Sequence, residues 1–227
     1  MNPFTRERLR LPLAFAIAIG CAMEGQALEL YNQNDSVLNA DLEALFATMR
    51  SSESYDLVGN RNQGSSSWHE GYIKYGLSGS QGLADNGTLY GAFNLLSSAT
   101  WGDGDAAGLT EGSERRTAVE DAYLGWRSGD RLPWLGEDGL DISAGHQVLT
   151  LGDGFLVQGD PVNVGDVDLG ADFDRGGAYY LAGRKAFDQT AVVHVGGTQG
   201  WRSDLVWLKS DNRAQAETEL AAATLEH

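Results

Sequence analysis

Cysteine and proline are close to absent from this chain. A single cysteine, Cys21, stands near the N-terminus of 227 residues, so no disulfide staple is available. Proline occurs 4 times and glycine 30 times, a balance that suits tight turns and close backbone contacts better than a disordered linker. Basic residues are also few, 16 against 32 acidic ones, for a net charge of −16. So acidic a chain does not bind nucleic acid by neutralising phosphates. The four histidines, at positions 69, 146, 194 and 227, form no His-x-x-x-His or Glu-flanked zinc pair. There is no Gly-x-Ser-x-Gly elbow and no phosphate-cradling loop ahead of a helix. The sequence therefore predicts a protein that is not an enzyme.

What the N-terminus does contain reads as an export signal. Arg6, Arg8 and Arg10 precede the apolar run "LPLAFAIAIGCAM", and "GQA" (25–27) supplies small residues at the usual cleavage spacing. The run is shorter than the ~20 residues of a spanning helix, which argues against a membrane anchor. A lipoprotein site at Cys21 is the other alternative, with Ala18 where leucine is usual. Removal of residues 1–27 leaves 13 basic and 30 acidic residues, a net charge of −17, and no cysteine. Residues 28–227 form the remaining domain.

Beyond the signal, helical periodicity is scarce and alternation with period two is common. Leu38, Ala40, Leu42, Ala44 and Phe46 share one face, opposed by Asn39, Asp41 and Glu43. The stretches "WHEGYIKYGL", "TLYGAFNLLSSATW", "AVEDAYLGW", "LDISAGHQVLTL", "GAYYLAGRKAF", "TAVVHVGG", "WRSDLVWLKS" and "ETELAAATLEH" extend the set to nine predicted strands. Long polar connections occupy 50–67, 102–116 and 152–176, and shorter ones alternate with them. No tandem repeat or internal domain boundary is visible.

A run of short antiparallel strands after an export signal fits a secreted, carbohydrate-binding β-sandwich or an outer-membrane barrel. Three features favour the barrel. The strands approach the ~9–11 residues needed to cross a bilayer on a tilt, where the mean globular strand has about 5–6. Trp68, Trp101, Trp126, Trp201 and Trp207, with Tyr72, Tyr75 and Tyr123, lie in or beside strands, as expected of aromatic girdles. Charged residues such as Glu70, Lys74, Arg202 and Asp204 sit on polar faces that suit a wet lumen. The fold class expected is all-β: an antiparallel transmembrane β-barrel. Nine is an odd count and the last strand runs out at His227, so the chain reads as the N-terminal part of a larger barrel. Leu38, Leu42, Phe46, Leu89, Phe93 and Leu95 are expected to face lipid.

The segments "VEDAYLGW" (119–126) and "LDISAGHQVLTLGDGFLV" (140–157) resemble the alginate-export-like group of Gram-negative outer-membrane porins. That group has a Gly-Arg-Gln strand followed by a Gly-rich loop; here the triplet is Gly145-His146-Gln147. The resemblance implies a barrel in the outer membrane, in contact with its lipid, serving as a channel. Members that pass polyanions need a basic lumen. The acidity of this chain points instead to passive diffusion of small cationic or neutral solutes, with polysaccharide export as the alternative.

Porins commonly fold their third outer loop into the lumen. By that resemblance Asp160, Asp166, Asp168, Asp172 and Asp174 form an acidic constriction, with Gly152 and Gly154 turning the chain and Phe155, Leu156 and Val157 anchoring it. Lys74, Arg184 and Arg202 would oppose the aspartates. A plain solvated loop is the competing reading. No cofactor is expected. A second acidic loop, "DGDAAGLTEGSE", matches part of a calcium-binding pattern through Asp103, Asp105, Glu111 and Glu114. Ala107 replaces one ligand and the flanks read as strands, so loose binding of Ca2+ or another divalent cation is the most this loop predicts.

Overall fold

The computed structural model describes residues 19–55, 57, 64–167, 173–197 and 200–227. The strands are β1 (Ile19–Gln33), β2 (Ser36–Ser51), β3 (Ser66–Gly82), β4 (Thr88–Gly102), β5 (Arg115–Arg127), β6 (Leu140–Gln147), β7 (Thr150–Leu151), β8 (Val157–Gln158), β9 (Phe187–Val195), β10 (Arg202–Lys209) and β11 (Glu219–Glu226). Nine of them form one antiparallel sheet in the order β1-β2-β3-β4-β5-β6-β9-β10-β11, and β7 and β8 form a small separate hairpin. Each strand pairs with the one before it, apart from the excursion between β6 and β9. This up-and-down order puts the connections 52–65, 103–114, 148–186 and 210–218 at one end of the sheet. Three of the four links at the other end are shorter than any of these, and the fourth, 128–139, has twelve residues. One of the three is the two-residue turn Asn34-Asp35, whose φ values of 51° and 57° fit the turn type that matches strand twist.

The large sheet has nine strands, the number read from the sequence, but the membership differs. Ile19–Gln33 forms a strand on β2, in residues that overlap the export signal read over 1–27. The stretch "GAYYLAGRKAF" is not a strand until Phe187. Ala178 and Ala182 adopt left-handed φ values of 54° and 47°, and a turn closes from Ala182 N–H to the Ala178 carbonyl at 3.0 Å. Nothing in an alanine signals such a conformation.

The two faces of the sheet differ in kind. One, here called the open face, exposes Leu38, Leu42 and Phe46 of β2, Ile73, Tyr75 and Leu77 of β3, and Leu89 and Phe93 of β4. Leu28, Leu124, Ile142, Leu205 and Leu225 continue it across the sheet. Leu95, the partner of Tyr75, lies on this face half-buried. Two open-face tryptophans stand near the long-loop end (Trp101, Trp207), and two more stand at the short-loop end (Trp126, Trp201). Trp68, Tyr72 and Tyr123, read from the sequence as girdle aromatics, lie instead on the opposite face, with Trp68 and Tyr72 buried.

That opposite, covered face receives residues 149–167 and 173–186. The hairpin β7-β8 brings Leu149, Leu151 and Val157 onto Phe187, Val192, Val206 and Leu208 of β9 and β10. Burying side chains of this size stabilises by about 1.5–3 kcal/mol each. Phe155 and Leu156, expected to anchor the loop, are 87 % and 85 % exposed at the hairpin tip. Only Val157 of that trio meets the core. The chain then crosses the covered faces of β3, β4 and β5, where it has no sheet partner for its backbone.

Candidate functional site

Carboxylates on the wall take the place of that partner. Glu70 of β3 is fully buried; one oxygen accepts from the Trp68 indole at 3.0 Å, the other from the N–H groups of Tyr180 and Leu181 at 2.9 and 3.1 Å. Glu120 of β5 accepts from the N–H groups of Lys185 and Ala186 at 2.7 and 3.0 Å. Between them Thr100 accepts from Ala178 N–H at 2.8 Å, and Ser98 donates to the Gly176 carbonyl at 2.9 Å. A buried backbone N–H without a partner costs roughly 1–3 kcal/mol, so these acceptors decide whether the segment lies down at all.

Glu120 reaches the segment because of a bulge. The β4–β5 register shifts at this point: Asn94 pairs with Asp121 and Leu95 with Val119, leaving Glu120 as the extra residue. Such an insertion lets neighbouring side chains point the same way. Glu120 takes the segment's N–H groups, while Asp121 accepts from Asn94 at 3.0 Å and lies 3.6 Å from Lys74.

A second anchor joins the segment to the far strands. Asp160 is fully buried, with one oxygen 2.8 Å from Arg175 and 2.6 Å from the Ser210 hydroxyl, and the other 2.8 Å from the Asn212 amide. Arg175 also donates to the Asp160 carbonyl at 3.1 Å. Asp160 is therefore a packing residue, not the water-facing member of a constriction that the sequence suggested. Asp174 meets Arg116 at 3.3 Å and accepts from Gly176 N–H at 2.7 Å. Asp166 is exposed, and Asp168 and Asp172 lie outside the described residues.

The three cations expected to oppose the loop aspartates are placed elsewhere. Lys74 lies 3.7 Å from Glu43 and 3.6 Å from Asp121, both on the wall. Arg202 meets Asp204 at 3.2 Å, beside His194. Arg184 is 5 % exposed within the segment itself, and burial together with the nearby Arg175 lowers its pKa from the ordinary guanidinium value. Burial and the adjoining Tyr55 hydroxyl push the Tyr180 phenol up. Arg175, which neutralises Asp160, was not singled out in the sequence.

The loop with a calcium-like pattern uses its acids in the same internal manner. Asp105, fully buried, accepts from Ala107 N–H and the Thr110 hydroxyl, both at 2.7 Å. Glu114 accepts from the N–H groups of Glu111, Gly112 and Ser113. Asp103 accepts from Ser67 N–H at 2.9 Å, and Glu111 is exposed. Among the described residues no three histidine, cysteine or acidic side chains are grouped to hold a metal ion. The loop is a carboxylate-capped turn.

Part of the covered face is open to solvent. A cavity of about 430 Å³ between β2 and β5 is lined by Asp41, Glu43, Lys74, Asn94, Asp121 and Tyr123. Ser78 donates to Asp41 at 2.9 Å and Tyr72 to Glu43 at 2.6 Å, fixing both carboxylates toward this side. Three acids surround one lysine, leaving an excess of negative charge. Asp41 and Glu43 were legible as the polar side of the β2 alternation, whereas their association with Asp121 required the strand register. Comparison of the chain with protein-family models, curated proteins and solved structures gave no match.

Proposed function

We propose that this chain is part of the wall of an outer-membrane channel, with the covered face toward the lumen, for passive diffusion of small cationic or neutral solutes. One observation carries the reading: an antiparallel sheet of nine strands exposes an apolar face, while its polar face is covered by residues 149–167 and 173–186. In water, a broad exposed apolar face is a liability; against lipid it is the stable arrangement. The same asymmetry counts against a secreted sandwich, whose exposed faces are polar. Tryptophans at both ends of the open face suit two water–lipid boundaries. Among the described residues β1 and β11 do not pair with each other, so closure calls for further strands or copies, consistent with a larger barrel.

The membrane orientation is tested by paired substitutions. Phe93→Arg places a charge on the open face and is expected to cost about 2–4 kcal/mol of membrane assembly. Ala92→Arg, on the cavity side, is expected to assemble normally. Ala92 is a better control than its neighbour Asn94, which is 4 % exposed and bonded to Asp121. Equal assembly of the two variants, read by membrane fractionation and heat-modified gel mobility, rejects the assignment.

Cation preference is assigned to the wall acids. In planar bilayers the double substitution Asp41→Asn, Glu43→Gln is expected to lower the cation-to-anion permeability ratio about twofold or more, with the difference fading at high salt. An unchanged ratio in a conducting channel would remove these residues from the permeation path. Polysaccharide export, the alternative given by the sequence resemblance, has less support: an anionic polymer would meet this acidic cavity unfavourably.

A further inference from the structure

The open face is not uniformly flat. Between β2 and β5, near the long-loop end, it holds a groove of about 580 Å³. Small residues, Ala44, Gly71 and Ala99, make its floor, and Phe46, Ile73 and Trp101 rise beside it. A Cβ on Gly71 would stand 3.3 Å from the Phe46 ring and 3.4 Å from Trp101, so the missing side chain lets the two rings flank an apolar trough.

The loop-side end of this groove is basic, although the chain as a whole carries −16. Arg115 lies over the Trp101 ring, 4.5 Å from its centre, and donates to the carbonyls of Thr100 and Glu114. His69 pairs with Trp101 across the strands and stacks on Phe46 at 6.0 Å. Arg50 is exposed at the same end of β2. Among the described residues neither Arg50 nor Arg115 forms an ion pair with a carboxylate. An arginine held on an aromatic face, with donors left over and no anion beside it, is suited to a phosphate oxygen.

We propose that this groove binds an anionic phospholipid, one acyl chain lying along the trough and the phosphate meeting Arg115. The site rests on the membrane-wall reading above, but adds a defined occupant at one place on the wall. A second apolar recess on this face, of about 530 Å³ beside Leu38, Leu77, Phe93 and Leu124, has no cation in its lining. At the first groove an apolar depression and a guanidinium with donors to spare lie one residue pair apart, which matches the two ends of a phospholipid. Trp101 sits between them, where chain meets headgroup.

The test uses the full chain in detergent micelles containing equal amounts of phosphatidylglycerol and phosphatidylcholine, with retained lipid counted by native mass spectrometry. Phosphatidylglycerol is expected to be retained about tenfold over phosphatidylcholine, the scale of one charge-assisted contact. Arg115→Gln is expected to abolish that preference. Ala44→Phe, which fills the groove and leaves the arginine in place, is expected to reduce retention of phosphatidylglycerol by a similar factor. Inorganic phosphate at the same concentration is expected not to displace it. Equal retention of the two lipids by the unmodified chain, or unchanged retention by Ala44→Phe, overturns the proposal, and neither result depends on the arginine variant folding. A chain that stays dispersed without detergent and holds neither lipid overturns the membrane reading itself, whereas one that enters micelles and binds both lipids alike overturns only the site.

Discussion

Replacing Arg175 by methionine is expected to destabilise the folded chain by about 3–5 kcal/mol, the cost of stranding a buried carboxylate. Asp160 has no exposure to solvent, and among the described residues Arg175 is its one cationic partner within 3 Å. Ser210 and Asn212 would still donate to it, but two neutral donors do not balance a full charge out of water. Arg175→Lys is expected to be intermediate, because a lysine keeps the charge and loses the second donor that also reaches the Ala186 carbonyl. Adding Asp160→Asn to the methionine variant is expected to recover part of the loss, since the isosteric amide retains hydrogen bonding without the charge. Denaturant unfolding in micelles, followed by tryptophan fluorescence, measures all four chains. A loss below about 1 kcal/mol for Arg175→Met would mean that water reaches Asp160.

Glu70→Leu is expected to cost a similar amount, about 3–6 kcal/mol, by a different route. The substitution leaves the Trp68 indole and two backbone N–H groups without an acceptor in a buried site, at roughly 1–3 kcal/mol each. No other side chain of β3 can supply them, because the alternation puts its neighbours His69 and Gly71 on the open face. The effect should be local as well as global. Trypsin cleavage after Arg184 or Lys185 is expected to accelerate in Glu70→Leu while the paired strands β1 and β2 keep their resistance. Glu70→Gln, which retains one acceptor oxygen, is expected to fall between. A leucine variant as stable and as protease-resistant as the unmodified chain would show that segment 178–186 does not depend on this carboxylate.

The sheet was legible in the sequence wherever apolar and polar residues alternated. β2 and β4 have the predicted faces, and Leu38, Leu42, Phe46, Leu89 and Phe93 lie together and exposed. β1 was hidden because its residues also satisfy the pattern of an export signal. "GAYYLAGRKAF" was mistaken for a strand because its apolar content resembles one, and left-handed alanines leave no local mark. The acidic residues were harder. A carboxylate that lines water and one that caps a buried N–H are the same letter, and only the partner distinguishes them. Those partners are distant along the chain: Glu70 meets Tyr180 and Leu181, and Asp160 meets Ser210 and Asn212. Asp41 and Glu43 could be assigned to a polar face, but the cavity they share with Asp121 depends on the β2–β5 register and on a one-residue bulge.

The distance between Glu70 and its partners also orders events in time. The wall strand that carries this carboxylate is synthesised 110 residues before the backbone groups that it binds. Until residues 178–186 follow, Glu70, Thr100 and Glu120 have no segment to receive and must keep water as their partner. Hairpins β2-β3 and β4-β5 close over short separations, so their loop-closure entropy is small; docking of the segment closes a far longer loop and is rewarded only once several strands stand side by side. The covering thus docks after the hairpins it lies on, and water must leave the covered face before the segment can lie against it.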